Sequence, residues 1–228
     1  MILALALLLQ EPVPERAMAQ GIIDQGTLVI RADTQEVGRE TFRVLERRAG
    51  DSTSGWLLDA SARWPGTGRP ASYAPVVEIG RDSLTQAVSF DVAGGPTPVR
   101  ISGVSGRSRF TLRYVSPGVE RARELPGDPR VVVIDDSVFT PWLAVAWRAR
   151  AQPESLTAVY PRSAQRARIV LQDLGSETTS LNRDQATLRH VRVTGAQSGP
   201  VHVWLDRAGR LMKVEVPDRH LTVERAPS

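Results

Sequence analysis

Apolar and polar residues alternate along most of this chain with a period of two. Leu28, Ile30 and Ala32 fall on one face of a segment whose other face carries Val29, Arg31 and Asp33. The pattern returns with Phe42 and Val44 against Thr41 and Arg43, then with Val88, Phe90 and Val92 against Ser89 and Asp91. It appears again with Phe110, Leu112 and Tyr114 against Arg109, Thr111 and Arg113. Side chains that alternate this way belong to half-buried strands, because successive residues of a strand point to opposite faces. Strands are expected over 27–33, 37–47, 56–64, 72–80, 85–92, 99–104 and 109–115. After the middle of the chain they resume over 155–160, 166–172, 187–194, 200–206, 211–216 and 220–225. Asp206-Arg207-Ala208-Gly209 reads as a hairpin turn, with glycine where a positive φ is wanted. Residues 116–129 hold three prolines and two glycines and read as a long loop. About a dozen strands at this spacing predict a mainly β chain, one large curved antiparallel sheet forming an open or half barrel.

One stretch breaks the pattern. Val131–Ile134 is an unbroken β-branched run, which reads as a fully buried strand. Asp135, Asp136 and Ser137 follow, each able to cap a helix. Thr140-Pro141 is a second start signal, with proline where its missing N–H costs nothing. A single helix is therefore expected near residues 137–151, stopped by Pro153. Trp142, Leu143, Ala144, Val145, Ala146 and Trp147 wrap most of its circumference, so it should be buried on more than one side. It is too short to span a bilayer. The expected arrangement is a greasy plug inside the curved sheet. An ordinary helix lying on one sheet face is the alternative.

The first residues add a compartment. Residues 2–9 are continuously apolar, and Ala17-Met18-Ala19 has the small-x-small form of a cleavage site. Residues 1–19 are read as a signal peptide and 20–228 as a single half-barrel domain, exported to the periplasm or its equivalent. The chain has no cysteine, which excludes disulfides, thiolate metal sites and a cysteine nucleophile. Arginine dominates the cations, Lys213 being the sole lysine. A net charge of +4 over 228 residues does not mark a nucleic-acid binder. Arg31, Arg43, Arg63, Arg100, Arg113, Arg168 and Arg189 place arginine on the polar face of strand after strand. That predicts a sheet oily on one side, wet and basic on the other.

Three segments, GTLVIRADTQEVGRETFRV, VVVIDDSVFTPWLAVAWRA and VHVWLDRAGRLMKVEVP, resemble uncharacterised exported β-rich bacterial proteins. Their architecture is similar to the lipoprotein-carrier half-barrels, open antiparallel barrels with helices over a greasy concave face. The resemblance implies an envelope location and binding of acyl chains or lipoproteins. This chain offers one helix where such carriers have more.

No motif for metalloprotease, serine hydrolase, phosphate loop or dinucleotide binding is present, and no cofactor is implied. His190, His202 and His220 are scattered, and His202 shares a strand face with Trp204, opposite Val201, Val203 and Leu205. Asp135 and Asp136 are the acidic candidates, adjacent carboxylates that could act as a proton-sharing pair with one raised pKa. Helix capping and dipole contact account for both without catalysis. Phe139, Trp142, Trp147 and Trp56 are the candidate ligand-binding residues, lining an apolar concavity. Three function classes remain. The first is a non-enzymatic exported protein holding a lipid-like or other apolar ligand. The second is a structural or interaction module of the envelope with a filled core and a protein partner. The third is a hydrolase using Asp135 or Asp136.

Overall fold

The computed structural model describes residues 19–65, 70–95 and 97–227. The signal-peptide reading of residues 1–19 lies almost wholly outside them, since β1 begins at Ala19. The described chain forms fifteen strands. These are β1 (Ala19–Ala32), β2 (Gln35–Ala49), β3 (Ser52–Trp64), β4 (Ala71–Gly80) and β5 (Thr85–Ala93), followed by β6 (Val99–Ser105), β7 (Arg109–Ser116), β8 (Val119–Pro126) and β9 (Val131–Val133). After the helix α1 (Trp142–Arg148) come β10 (Glu154–Tyr160), β11 (Gln165–Leu181), β12 (Asp184–Thr194), β13 (Val201–Leu205), β14 (Leu211–Val216) and β15 (Leu221–Arg225).

All fifteen lie in one curved, unclosed sheet. Its order runs from β8 back through β7 to β1, crosses to β15, and descends through β14 to β9. Strands consecutive in sequence are thus paired in the sheet, except β8 and β9, which form its two edges. The first and last strands, β1 and β15, close the middle with Leu28 opposite Arg225 and Ala32 opposite Leu221. The pairs are antiparallel except β9 with β10, which run parallel because α1 carries the chain back between them. Pro75 in β4 has no N–H to give the ladder, and the β3–β4 pairing skips there, between Asp59–Val76 and Ala62–Tyr73, with the register kept.

The alternation sets the faces as expected. Leu28, Ile30, Phe42, Val44, Val88, Phe90, Phe110 and Leu112 all point into the concavity and are under 5% exposed. Three expectations need correction. Residues 116–129 are not a loop, because Val119–Pro126 is a strand. The breakers sit at its ends, Pro117-Gly118 making the turn and Pro126 closing the strand. The helix is shorter than 137–151, spanning only Trp142–Arg148. Ala149 leaves the helical region at ψ 140°, and the last carbonyls pair elsewhere. Arg189 donates to the Ala149 carbonyl, and Arg150 Nη1 reaches those of Trp147, Arg148 and Ala149. Finally, the polar face is not simply basic. Arg43 pairs with Asp59, Arg47 with Glu78, Arg100 with Asp91, Arg113 with Glu120 and Arg189 with Asp173. Pairing between neighbouring strands, and across β3 for Arg47 and Glu78, brings each carboxylate to its arginine, so most of that face is neutralised.

The helix is the plug. Trp142 and Phe139 are 1% exposed, and Leu143, Val145 and Ala146 are at 0%. Burying Trp142 alone stabilises the fold by about 3 kcal/mol on an area basis.

Candidate functional site

The segment before α1 carries the strongest polar chemistry in the interior. Glu40, on β2, continues the inward row of Phe42 and Val44, so its carboxylate points into oil at 0% exposure. It is fully engaged. Oε2 accepts the Phe139 N–H at 2.6 Å, Oε1 accepts the Thr140 N–H at 2.8 Å, and the Thr140 hydroxyl also donates to Oε1. Glu40 therefore does the work expected of a capping side chain, from a strand a hundred residues away. Pro141, at the cap position, makes no side-chain bond. Burial pushes the Glu40 carboxyl from 4.5 up to about 7, against the pull of these three donors.

Asp135 is 3% exposed. Arg162 grips it bidentately, Nε to Oδ2 at 2.7 Å and Nη2 to Oδ1 at 2.8 Å, and the Ser137 N–H reaches Oδ1 at 2.7 Å. Burial still raises its pKa, the arginine opposing. Arg162 Nη2 also donates to Ser137 Oγ at 2.9 Å, and its guanidinium lies 4.5 Å from the Tyr73 ring centre. Asp136 turns a different way. Its backbone carbonyl accepts from Arg219, and its buried Oδ1 has no hydrogen-bond partner. Trp64 ties the same turn down by donating to the Ser137 carbonyl at 2.9 Å. The two aspartates are thus not a proton-sharing pair. The arrangement fastens the plug to the sheet, with Glu40 and Arg162 as the two pegs.

The four apolar candidates divide into two pairs. Phe139 and Trp142 are core residues, each 1% exposed. Trp56 and Trp147 are half-buried and meet at the rim, ring centres 5.3 Å apart and planes 59° apart. Trp147 Nε1 donates to the Gly209 carbonyl at 2.7 Å, which docks the β13–β14 turn against the helix. Arg148 completes the rim by pairing with Glu154 and donating to the Asp82 carbonyl at 2.8 Å.

No protein-family model matches the chain. No curated protein matches it either. Among solved structures it is similar to a β-barrel-like protein of the domain of unknown function DUF1849 from Brucella abortus. The two share 12% identity over 89% of this chain and 96% of that one, with a TM-score of 0.50. A DUF1089 family protein from Pseudomonas aeruginosa is 14% identical over 78% of this chain and 89% of that one, with a TM-score of 0.47. The first likeness supports a β-barrel-like fold and extends no further than the fold.

A second polar cluster was not legible as a cluster from spacing. β11 and β12 run on beyond their neighbours, and a bulge between Asp173 and Gly175 bends them. Gly175 has a φ of +85°, which a side chain would strain. The resulting arm, residues 176–187, folds over the outer face of β13–β15. Beneath it His190 Nε2 meets His202 Nδ1 at 2.8 Å, and His190 stacks on Trp204 at 4.5 Å. Glu177 accepts from Trp204 Nε1 at 2.7 Å, and its Oε2 lies 3.1 Å from His190 Nδ1. Lys213 Nζ donates to the Ser180 carbonyl at 2.9 Å and pairs with Glu215 at 2.7 Å. The Asn182 N–H donates to Glu224 at 3.1 Å and its side chain to the Arg225 carbonyl at 2.7 Å. His220 stands apart, exposed, 3.6 Å from Asp33. Among the described residues no three of His, Asp and Glu converge to hold an ion.

Proposed function

We propose that this chain is a non-enzymatic binding protein of the cell envelope, an interaction module that works through its outer surface. One observation supports this above the others. The greasy concavity that would hold a ligand is occupied by the protein's own α1, with Trp142 and Phe139 at 1% exposure. A carrier needs that space, and here an acyl chain enters only if the helix leaves. Asp135, one of the two acids that would serve a hydrolase, is committed to Arg162 and the Ser137 N–H at the entrance of the helix. Export rests on the apolar run of residues 2–9 with Ala17-Met18-Ala19, and on the resemblance of the three segments quoted above to exported proteins.

Three measurements test the reading. Crosslinking in cells should capture a protein partner at the outer face, and fractionation should recover the chain outside the inner membrane. Purified protein incubated with lipid extract should show no acyl-chain adduct in native mass spectrometry. A bound lipid that is lost in Trp142→Phe would replace this reading with that of a carrier.

A further inference from the structure

On the outer face several arginines are met by a carboxylate of the neighbouring strand, as in Arg31–Glu224, Arg43–Asp59, Arg100–Asp91, Arg113–Glu120 and Arg189–Asp173. At the seam, where residues 127–130 cross from β8 to β9, three arginines converge without such partners. Arg130, Arg166 and Arg168 line a cleft of about 470 Å³ together with Asp128, Ser155, Leu156, Thr157 and Ala167. None of the three forms an ion pair among the described residues. Arg168 Nε donates to Ser155 Oγ at 2.7 Å, and Arg166 Nη1 to the Pro126 carbonyl at 3.1 Å, so both side chains are held in place by neutral acceptors. The one acid, Asp128, is turned toward the Thr157 hydroxyl at 2.7 Å and the Arg130 N–H at 2.8 Å.

The site is built by the fold. Arg166 and Arg168 face outward because Ala167 and Ile169 face in, and Thr157 stands directly opposite Arg168. Ser155 and Thr157 share that outward face. Three guanidiniums less one carboxylate leave a surplus of two positive charges. Arg166 and Arg168 keep N–H groups that their present neutral acceptors do not use. The Ser155 hydroxyl, accepting from Arg168, keeps its proton to donate. A planar fork of donors beside hydroxyls suits tetrahedral oxyanions, and a surplus of two matches a phosphomonoester near neutral pH.

We propose that this cleft binds a phosphate group, carried either by a soluble metabolite or by a lipid head group. The inference deepens the outer-surface reading and rests on it only in locating recognition there. It fails or stands on purified protein, whereas that reading is decided by crosslinking in cells.

The test uses inorganic phosphate and phenyl phosphate in calorimetric titration, and vesicles of phosphatidylcholine with or without phosphatidic acid in a flotation assay. The parent should bind the phosphates with an affinity that falls steeply with added salt. The double variant Arg166→Gln, Arg168→Gln should lose about tenfold or more in affinity with its melting temperature held. Arg63→Gln, on the same outer face but outside the cleft, should bind as the parent does. Binding of phenyl phosphate without vesicle flotation assigns the soluble source, and flotation on phosphatidic acid assigns the lipid. Absence of measurable phosphate binding by the folded parent, or equal binding by the double variant, overturns the proposal.

Discussion

Glu40 shows how much one residue can organise. An inward carboxylate in an oily row is a costly placement unless both of its oxygens find donors. It does so through Phe139 and Thr140, and the chain entering α1 is thereby fixed to β2. The alternation that placed Phe42 and Val44 inside also placed Glu40 inside, so the signal was present two residues before them. What spacing alone does not show is the donor set, which comes from a hundred residues downstream. The titration of this group has a definite consequence. Unfolded, Glu40 loses its proton near 4.5, and folded it does so near 7. Between those values the native state holds a proton that the unfolded state has released, so this group's contribution falls as pH rises through that window. Glu40→Gln removes the slope and leaves one N–H facing an amide, costing about 1–3 kcal/mol. Urea unfolding of parent and variant should show the parent's advantage shrinking from about pH 5 to about pH 8. An advantage that does not change with pH would refute the assignment.

At the scale of elements, strands were legible and their ends were not. Period-two alternation marks a strand wherever one face is buried, which is why β2, β5 and β7 read cleanly. β8 was lost because both its faces are exposed and its boundaries are prolines. The outer half of the β11–β12 hairpin was cut short for a similar reason. Thr178, Thr179 and Ser180 bury little, and their purpose is to reach over Trp204 and Lys213. The arm depends on charge state. The His202 imidazole is held below its usual 6.5, first by burial and then by His190, with Arg192 adding to the effect and Glu215 and Glu177 opposing it. Trp204, Lys213 and Glu224 make up the rest of the surface that the arm covers. With the arm lifted, His202 sheds the share of its burial that the arm supplies, so the open state takes up a proton more readily as pH falls. Amide exchange over residues 176–187, corrected for intrinsic rate, should therefore quicken relative to β13 between about pH 7.5 and pH 5.5. His202→Asn should flatten that dependence. Protection in the arm that tracks β13 at both pH values would rule the mechanism out.

For the whole molecule, an unclosed sheet raises the question of its edges. β9 is short and shielded, its Val133 N–H taken by Thr85 Oγ1 at 2.8 Å. β8 is eight residues long and paired on one side alone, the kind of edge that recruits strands from other molecules. Its inward positions answer this. Arg121 lies opposite Tyr114 and Arg123 opposite Leu112, so both continue the concave face that β5, β6 and β7 fill with oil. Both are exposed. A strand adding to β8 would extend the apolar face across two guanidiniums and desolvate them, a cost that disfavours the addition. The same pair explains why the concavity ends at β7, where Phe110 and Leu112 are the last fully buried residues of the row. Replacing both by Val119-like chemistry, as Arg121→Val with Arg123→Val, keeps strand propensity and removes the guard. The variant should fold, retain its melting temperature, and associate with rising concentration in light scattering under conditions where the parent does not. Variant and parent of equal mass across the same concentration range would show that the edge is protected by something other than its inward arginines.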